Sequence, residues 1–125
     1  VTKKIINGAF QCLKDRNHKL SLGNLSISRD WGWAEEYVEA MQLINRSKDK
    51  KDQLVCTGSL HSLEDFTSCV FNKLGLKWRE HIVISKSLFR PNEISQSYGN
   101  PNQLYEEVGW KAKVNFNSLI EKLMS

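Results

Sequence analysis

No apolar run in this chain approaches the roughly 20 residues that a helix needs to span a bilayer, so no membrane segment is expected. No leader is expected either. The first residues, Val1-Thr2-Lys3-Lys4, run into an amphipathic stretch rather than a continuous apolar core. An initiating Met is missing, and Val1 reads as an internal position of a longer protein. Cysteine is sparse, at positions 12, 56 and 69 only, and no CxxC or CxxH spacing occurs. This argues against zinc, and the odd number argues against a disulfide framework. Free, mostly buried thiols remain, which suit a cytoplasmic protein. Local signatures of chemistry are missing as well: there is no GxGxxG, P-loop, GxSxG or HExxH. No spacing marks a Ser-His-Asp triad, and His18 has no partner at metal-ligand spacing, so it reads as a surface loop residue.

What is present fits one soluble domain: 125 residues, 40% hydrophobic and 26% charged. The net charge is +4, and Lys48, Lys50 and Lys51 supply much of it within the run SKDKKD. Two Asp and no interleaved aromatics make that run a solvated loop, so no nucleic-acid partner is expected.

Taken in order, residues 3–14 carry Ile5, Ile6, Ala9, Phe10, Cys12 and Leu13 at helical spacing, with Thr2 as cap. Lys3 and Lys4 oppose the dipole at that helix start, and a bound anion would resolve the conflict. A short strand ends at Gly23. A helix is expected from about Ala34 to Asn45, with Glu35, Glu36 and Glu39 on its front half. The apolar run 53–58 predicts a buried, parallel-type strand whose neighbours come from sequence upstream. Ser62-x-x-Asp65 is a near capping box for a helix to about Lys73, stopped by Gly75. His81–Ile84 predicts a strand, and 94–98 a short extended segment. Asn100 caps a helix with Pro101 at its first position and Gly109 at its end. Asn115 or Asn117 caps the last helix, whose Leu119, Ile120 and Leu123 face inward.

The stretch Leu22-Gly23-Asn24-Leu25-Ser26-Ile27-Ser28-Arg29-Asp30-Trp31-Gly32 is the centre of this reading. It leaves a strand, crosses a loop and opens toward a helix, with Asp30 or Gly32 marking the helix start. Such loops concentrate binding chemistry. Lys4, Arg29 and Arg90 are basic groups on loops and helix starts that topology can bring together, and Arg pairs with phosphate through its planar fork. Glu93 stands three residues after Arg90, suited to accepting bonds from sugar hydroxyls. These residues are compatible with a phosphate–sugar site, while surface arginines held in salt bridges are the plainer reading of the same pattern. Trp31, Trp33, Trp78 and Trp110 read as packing residues, with Trp31 fixing the Arg29 loop. His61 and Ser62 read as helix-start residues.

Several blocks stand in a definite order: VTKKI at 1–5, LGNL at 22–25, RDWG at 29–32, EYVEAM at 36–41, TGSLHSLEDF at 57–66, RPNEI at 90–94, GNP at 99–101 and GWKAKVNF at 109–116. With these blocks the chain resembles the C-terminal part of the GDP-mannose 4,6-dehydratases, which are extended short-chain dehydrogenases/reductases. The resemblance implies an α/β fold: a mostly helical substrate-binding part (1–125) with a few short strands, lacking the N-terminal Rossmann core. Residues 33–58 would add a helix and strand to that missing sheet. It implies NADP as cofactor, bound by the missing domain through a Gly-rich turn, along with the catalytic Thr or Ser, Glu, Tyr and Lys. The implied reaction converts GDP-mannose to GDP-4-keto-6-deoxymannose, on the route to GDP-fucose, in a cytoplasmic homo-oligomer (dimer or tetramer). This chain would bind the nucleotide-sugar and be inactive alone. Val1 and Lys4 match positions that approach the nucleotide. Leu22, Gly23, Asn24 and Leu25 match the block beside the guanine. Arg29 and Arg90 match arginines near the diphosphate, and Glu93 matches the acid on the ribose. The chain departs from the family at Ser26-Ile27-Ser28, where an Asp-Ala-Lys/Arg-like stretch is usual. Glu36 stands for the usual Asp, and Ser95–Tyr98 is more polar than usual. The alternatives are a related GDP-sugar reductase, another nucleotide-sugar dehydratase, or a non-catalytic nucleotide-sugar-binding module.

Overall fold

The computed structural model describes residues 1–48 and 51–125; Asp49 and Lys50 of the charged run lie outside the described residues. Its helices are α1 (Thr2–Lys14), α2 (Ala34–Arg46), α3 (Leu63–Lys73), α4 (Asn102–Val108) and α5 (Phe116–Met124). Its strands are short: β1 (Leu20–Leu22), β2 (Ser28–Arg29), β3 (His61–Ser62), β4 (Ile82–Ile84) and β5 (Gln96–Ser97). Among the described residues these form two small sheets. β1 pairs with β4 in parallel, Leu20 opposite Ile82. In the other sheet β2 lies between antiparallel β3 and parallel β5, with Arg29 opposite both His61 and Ser97.

The main core lies between α1, α3, α5 and β1. Ile5, Ala9 and Cys12 recur on one face of α1 and are fully buried against Phe66, Val70 and Phe71 of α3. Burying a side chain such as Phe66 contributes about 1.5–3 kcal/mol. The ends of α3 follow from its sequence. Ser62 Oγ accepts the Asp65 amide, and the Asp65 carboxylate accepts the Ser62 amide. α5 is capped by Asn115, whose side chain accepts from the Ser118 amide. α4 ends at Gly109 with φ 74°, a left-handed conformation that glycine adopts without a Cβ penalty. A second, smaller core joins Ala40 of α2, Leu104 of α4 and Trp110.

Four expectations are corrected or qualified. Within this chain the segment 53–58 is not paired as a strand, and the neighbours expected for it belong to sequence outside the chain. A strand needs a hydrogen-bonded neighbour, and no described strand pairs with it; the Thr57 and Gly58 amides instead bond the Asp30 carboxylate. Its apolar pattern reported partial burial only: Cys56 is buried while Leu54 is 59% exposed. Next, α1 starts at Thr2 with Val1 at the capping position and no side-chain cap, and α4 starts at Asn102 with Pro101 at the cap. Asn100 still bonds the Asn102 amide through Oδ1 at 2.9 Å. Third, the Arg29 stretch is not simply a loop, because Ser28 and Arg29 form the central strand of the second sheet, and the helix waits until Ala34. Fourth, Leu123 of α5, expected to face inward, is exposed. On α2, Val38 and Met41 are more than half exposed. Glu36 does more than complement a dipole: its two carboxylate oxygens accept the Lys113 and Val114 amides at 2.8 and 3.0 Å, tying α2 to the final segment.

Candidate functional site

The first turn of α1, the end of β1, β2 and the loop after β4 converge on one cleft of about 500 Å³. α1 contributes Val1 and Lys4, and the turn after β1 contributes Leu22, Gly23 and Asn24. β2 contributes Arg29. The loop after β4, which includes a 3-10 turn at Lys86–Leu88, contributes Leu88, Phe89, Arg90 and Glu93. The loop comes this close because residue 23 is glycine. A Cβ there would stand 2.9 Å from the Leu88 carbonyl oxygen.

The electrostatics are lopsided. Three cations, Lys4, Arg29 and Arg90, face one carboxylate, Glu93. Arg29 is already engaged: Nη2 donates to Glu93 Oε1 at 2.8 Å and Nη1 to the Ser28 carbonyl at 2.8 Å. Lys4 and Arg90 are exposed, and among the described residues neither has an acidic partner. No side chain caps α1, so its first-turn amides and the positive end of its dipole also lie at the cleft. Asn24 is oriented locally. Its Oδ1 accepts the Ser26 amide at 2.9 Å and the Ser26 hydroxyl at 2.6 Å, which leaves its NH2 group as the donor available to a ligand. This is the chemistry of an anion site with a carboxylate at one side.

The structure brings eight of the nine sequence-predicted positions to this cleft: Val1, Lys4, Leu22, Gly23, Asn24, Arg29, Arg90 and Glu93. Leu25 is not among them. Its side chain is 8% exposed and packs in the main core, because the local turn closed between Asn24 and Ser26 directs it inward, and its carbonyl accepts the Glu64 amide. Ile27, Leu63, Leu88 and Phe89 line the cleft without having been singled out. No pattern in the sequence marks them, since an apolar wall residue looks like any core residue. Trp31, expected to pack, does pack on Phe66 and Phe116 at 5.4 and 6.1 Å between ring centroids, and it also faces the cleft. His61 stacks on Phe116, with ring centroids 3.9 Å apart.

The resolved pKa shifts lie on residues that do not line the cleft. Burial, then the charges of Asp30, Cys56 and Glu36, push the Tyr37 phenol up to about 12. Burial likewise raises the thiols of Cys12, Cys56 and Cys69. Among the described residues no group of three or more His, Cys, Asp and Glu is placed to hold a metal ion, and no helix is long and apolar enough to cross a membrane. A nicotinamide dinucleotide is ordinarily held by a glycine-rich turn between a strand and a helix. The seven glycines here stand singly along the chain, without the clustered spacing of such a turn.

Comparison with known proteins agrees in sequence and in shape. The chain is 37% identical over 124 residues to GDP-mannose 4,6 dehydratase 1 of Arabidopsis thaliana, covering 99% of this chain and 34% of that protein. It is 28% identical to GDP-mannose 4,6 dehydratase of Homo sapiens, covering 99% of this chain and 38% of that protein. It therefore spans about a third of the length of these relatives. In shape it is similar to RMD from Pseudomonas aeruginosa complexed with NADPH, at TM-score 0.79 and 16% identity, over 97% of this chain and 41% of that one. It is also similar to a dTDP-glucose 4,6-dehydratase from Bacillus anthracis in complex with NAD, at TM-score 0.80 and 13% identity, over 98% of this chain and 37% of that one. These likenesses show the fold: an α/β piece of the kind found in extended dehydratases and epimerases. The family model for GDP-mannose 4,6 dehydratase matches residues 1–123, nearly end to end, and by that match the chain belongs to this family.

Proposed function

We propose that this chain is the nucleotide-sugar-binding part of a GDP-mannose 4,6-dehydratase, one that makes GDP-4-keto-6-deoxymannose with NADP. The observation that supports it best is the cleft itself, where two cations without an acidic partner among the described residues and the start of α1 face an ion-paired arginine and glutamate. A diphosphate matches the first three, because a multiply charged anion leaves water most readily when several donors replace its hydration. Lys4 and Arg90 are assigned to the diphosphate, with Arg29 beside them. Glu93 is assigned to the ribose hydroxyls and the Asn24 amide to the guanine side. Val1, Leu22 and Gly23 complete the nucleotide wall, and Leu25 supports it from the core.

The same reading assigns NADP and the catalytic residues to sequence outside this chain, so the isolated chain is expected to lack dehydratase activity. It also assigns α2 and the 53–58 segment to packing against a Rossmann sheet. Val38, Met41 and Leu54, each more than half exposed, support that assignment. A homo-oligomeric, cytoplasmic enzyme belongs to the same proposal.

The test is calorimetric titration of the chain with GDP-mannose, GDP and UDP-glucose, repeated with Arg29→Ala and Arg90→Ala. The expected result is guanine-selective binding that both substitutions weaken. Binding indifferent to the base would move the assignment to another nucleotide-sugar. A folded chain that binds none of the three would refute an autonomous half-site.

A further inference from the structure

Arg29 and Asp30 are neighbours at the end of β2, and strand alternation sends their side chains to opposite sides. Arg29 reaches into the cleft toward Glu93. Asp30 reaches the other way and takes three donors from one short segment. Its Oδ1 accepts the Thr57 amide at 3.1 Å and the Thr57 hydroxyl, and its Oδ2 accepts the Gly58 amide at 2.8 Å. The Thr57 hydroxyl oxygen in turn accepts the Ser59 amide at 3.1 Å.

β2 needs such an anchor. It is two residues long, and a strand this short has little ladder to set its register. On one side it pairs with β5, whose residues are exposed. The Asp30 amide adds one further bond to the Ser97 carbonyl. Apart from backbone pairing, the Arg29–Glu93 bond and the packing of Trp31 on Phe66 and Phe116, the side-chain bonds to 57–58 are what hold the end of β2. The 57–58 segment is itself fixed from behind, since Gly58 lies against Pro101 at the start of α4, in the half of the molecule built on the second core. Asp30 therefore joins the cleft-bearing sheet to that second half.

We infer that Asp30 is a positioning residue: by clamping Thr57 and Gly58 it holds β2 so that the neighbouring Arg29 keeps its bond to Glu93 and its place in the cleft. Its consequence for a ligand rests on the nucleotide-sugar reading above, but the positioning itself does not. A binding side chain held slightly loose loses much of its contribution, which is why support from behind the site counts.

The test has a ligand-free arm and a binding arm. In the first, ¹⁵N NMR follows the Arg29 guanidinium in the 125-residue chain, in Asp30→Asn and in Thr57→Val, with circular dichroism confirming the fold. Asp30→Asn turns one of the two accepting oxygens into an NH2 donor, and Thr57→Val removes the hydroxyl that donates to Asp30 and accepts from Ser59 while leaving both backbone bonds, so the second variant stands in should the first fail to fold. Arg29 is expected to show hindered rotation in the parent chain and averaged signals in the variants. Unchanged Arg29 signals in a folded variant would overturn the inference. In the second arm, GDP is titrated into the parent chain, Asp30→Asn, Arg29→Ala and the double variant. Asp30→Asn should weaken GDP by about tenfold alone and by nothing further once Arg29 is gone. Independent losses that multiply would make Asp30 a purely structural residue and overturn the inference. Failure of GDP to bind the folded parent chain would refute an autonomous half-site, and the NMR arm would still decide the positioning.

Discussion

Arg29 and Glu93, 64 residues apart in the chain, share an ion pair of 2.8 Å at the edge of the cleft. The pair orients both groups at once. It holds the Glu93 carboxylate by one oxygen and leaves the other for a ligand hydroxyl. It also holds the Arg29 fork by two of its donors, the second bonded to Ser28.

Glu93→Gln should separate stability from binding. The two side chains are 26% and 20% exposed, and water screens pairs of this kind, so the loss of stability should stay below about 1 kcal/mol. On the proposed assignment of Glu93 to the ribose hydroxyls, the loss of GDP affinity should be larger, about tenfold, because a neutral amide replaces the charge-assisting carboxylate. Urea denaturation and calorimetry read the two quantities. An affinity unchanged beside a large stability loss would show that Glu93 is only a structural partner.

Gly23→Ala should disturb the cleft from its rim. The new Cβ would sit 2.9 Å from the Leu88 carbonyl oxygen, which is backbone and has no rotamer to escape into. Either the 86–89 loop lifts or the turn after β1 shifts, at a cost of about 1–3 kcal/mol. Amide exchange at residues 85–90 should rise in the variant. A wild-type exchange pattern would mean that the contact relaxes freely.

Tyr37 makes stability fall at alkaline pH. Its phenol is pushed up to about 12 in the folded chain, from an unfolded value near 10. Between those values the unfolded state loses the proton while the folded state keeps it, so unfolding is favoured as pH rises. The stabilisation is complete below about pH 10 and gone above about pH 12. Urea midpoints measured across this window should decline, and the decline should be shallower in Tyr37→Phe. Equal slopes in the two proteins would count against the assignment.

Ser62→Ala should cost about 1 kcal/mol, the usual value of a helix cap. It removes the acceptor for the Asp65 amide, 3.0 Å away, and frees half of a reciprocal pair. Ser62→Asn, which can still accept, should recover most of the loss. Thermal unfolding checks both.

Several parts of this architecture were readable in the linear sequence because they depend on neighbours within four residues. The capping box at Ser62 and Asp65, the Asn115 cap, the left-handed stop at Gly109 and the buried face of α1 are all of this kind. The cleft was readable only in its residue types. Lys4, Arg29, Arg90 and Glu93 belonged to recognisable blocks, so their roles could be named, but not which group would pair with which.

Non-local choices were not legible for one reason. The run 53–58 has the composition of a buried strand, but a strand exists only when another backbone lies alongside. In this chain the Asp30 carboxylate takes the Thr57 and Gly58 amides instead. Leu25 sits in the middle of a binding block and still turns into the core, because its neighbours Asn24 and Ser26 close a local turn around it.

The sequence by itself therefore determined the helices, the capping box of α3, the stop of α4 and the family to which the chain belongs, since those rest on local backbone chemistry and on ordered blocks. Tertiary structure alone decided that Arg29 meets Glu93, that Gly23 admits the Leu88 loop and that Asp30 clamps Thr57. Each of these joins segments separated by long loops, and only the packing of α1, α3 and α5 around one core brings them within hydrogen-bonding or van der Waals reach.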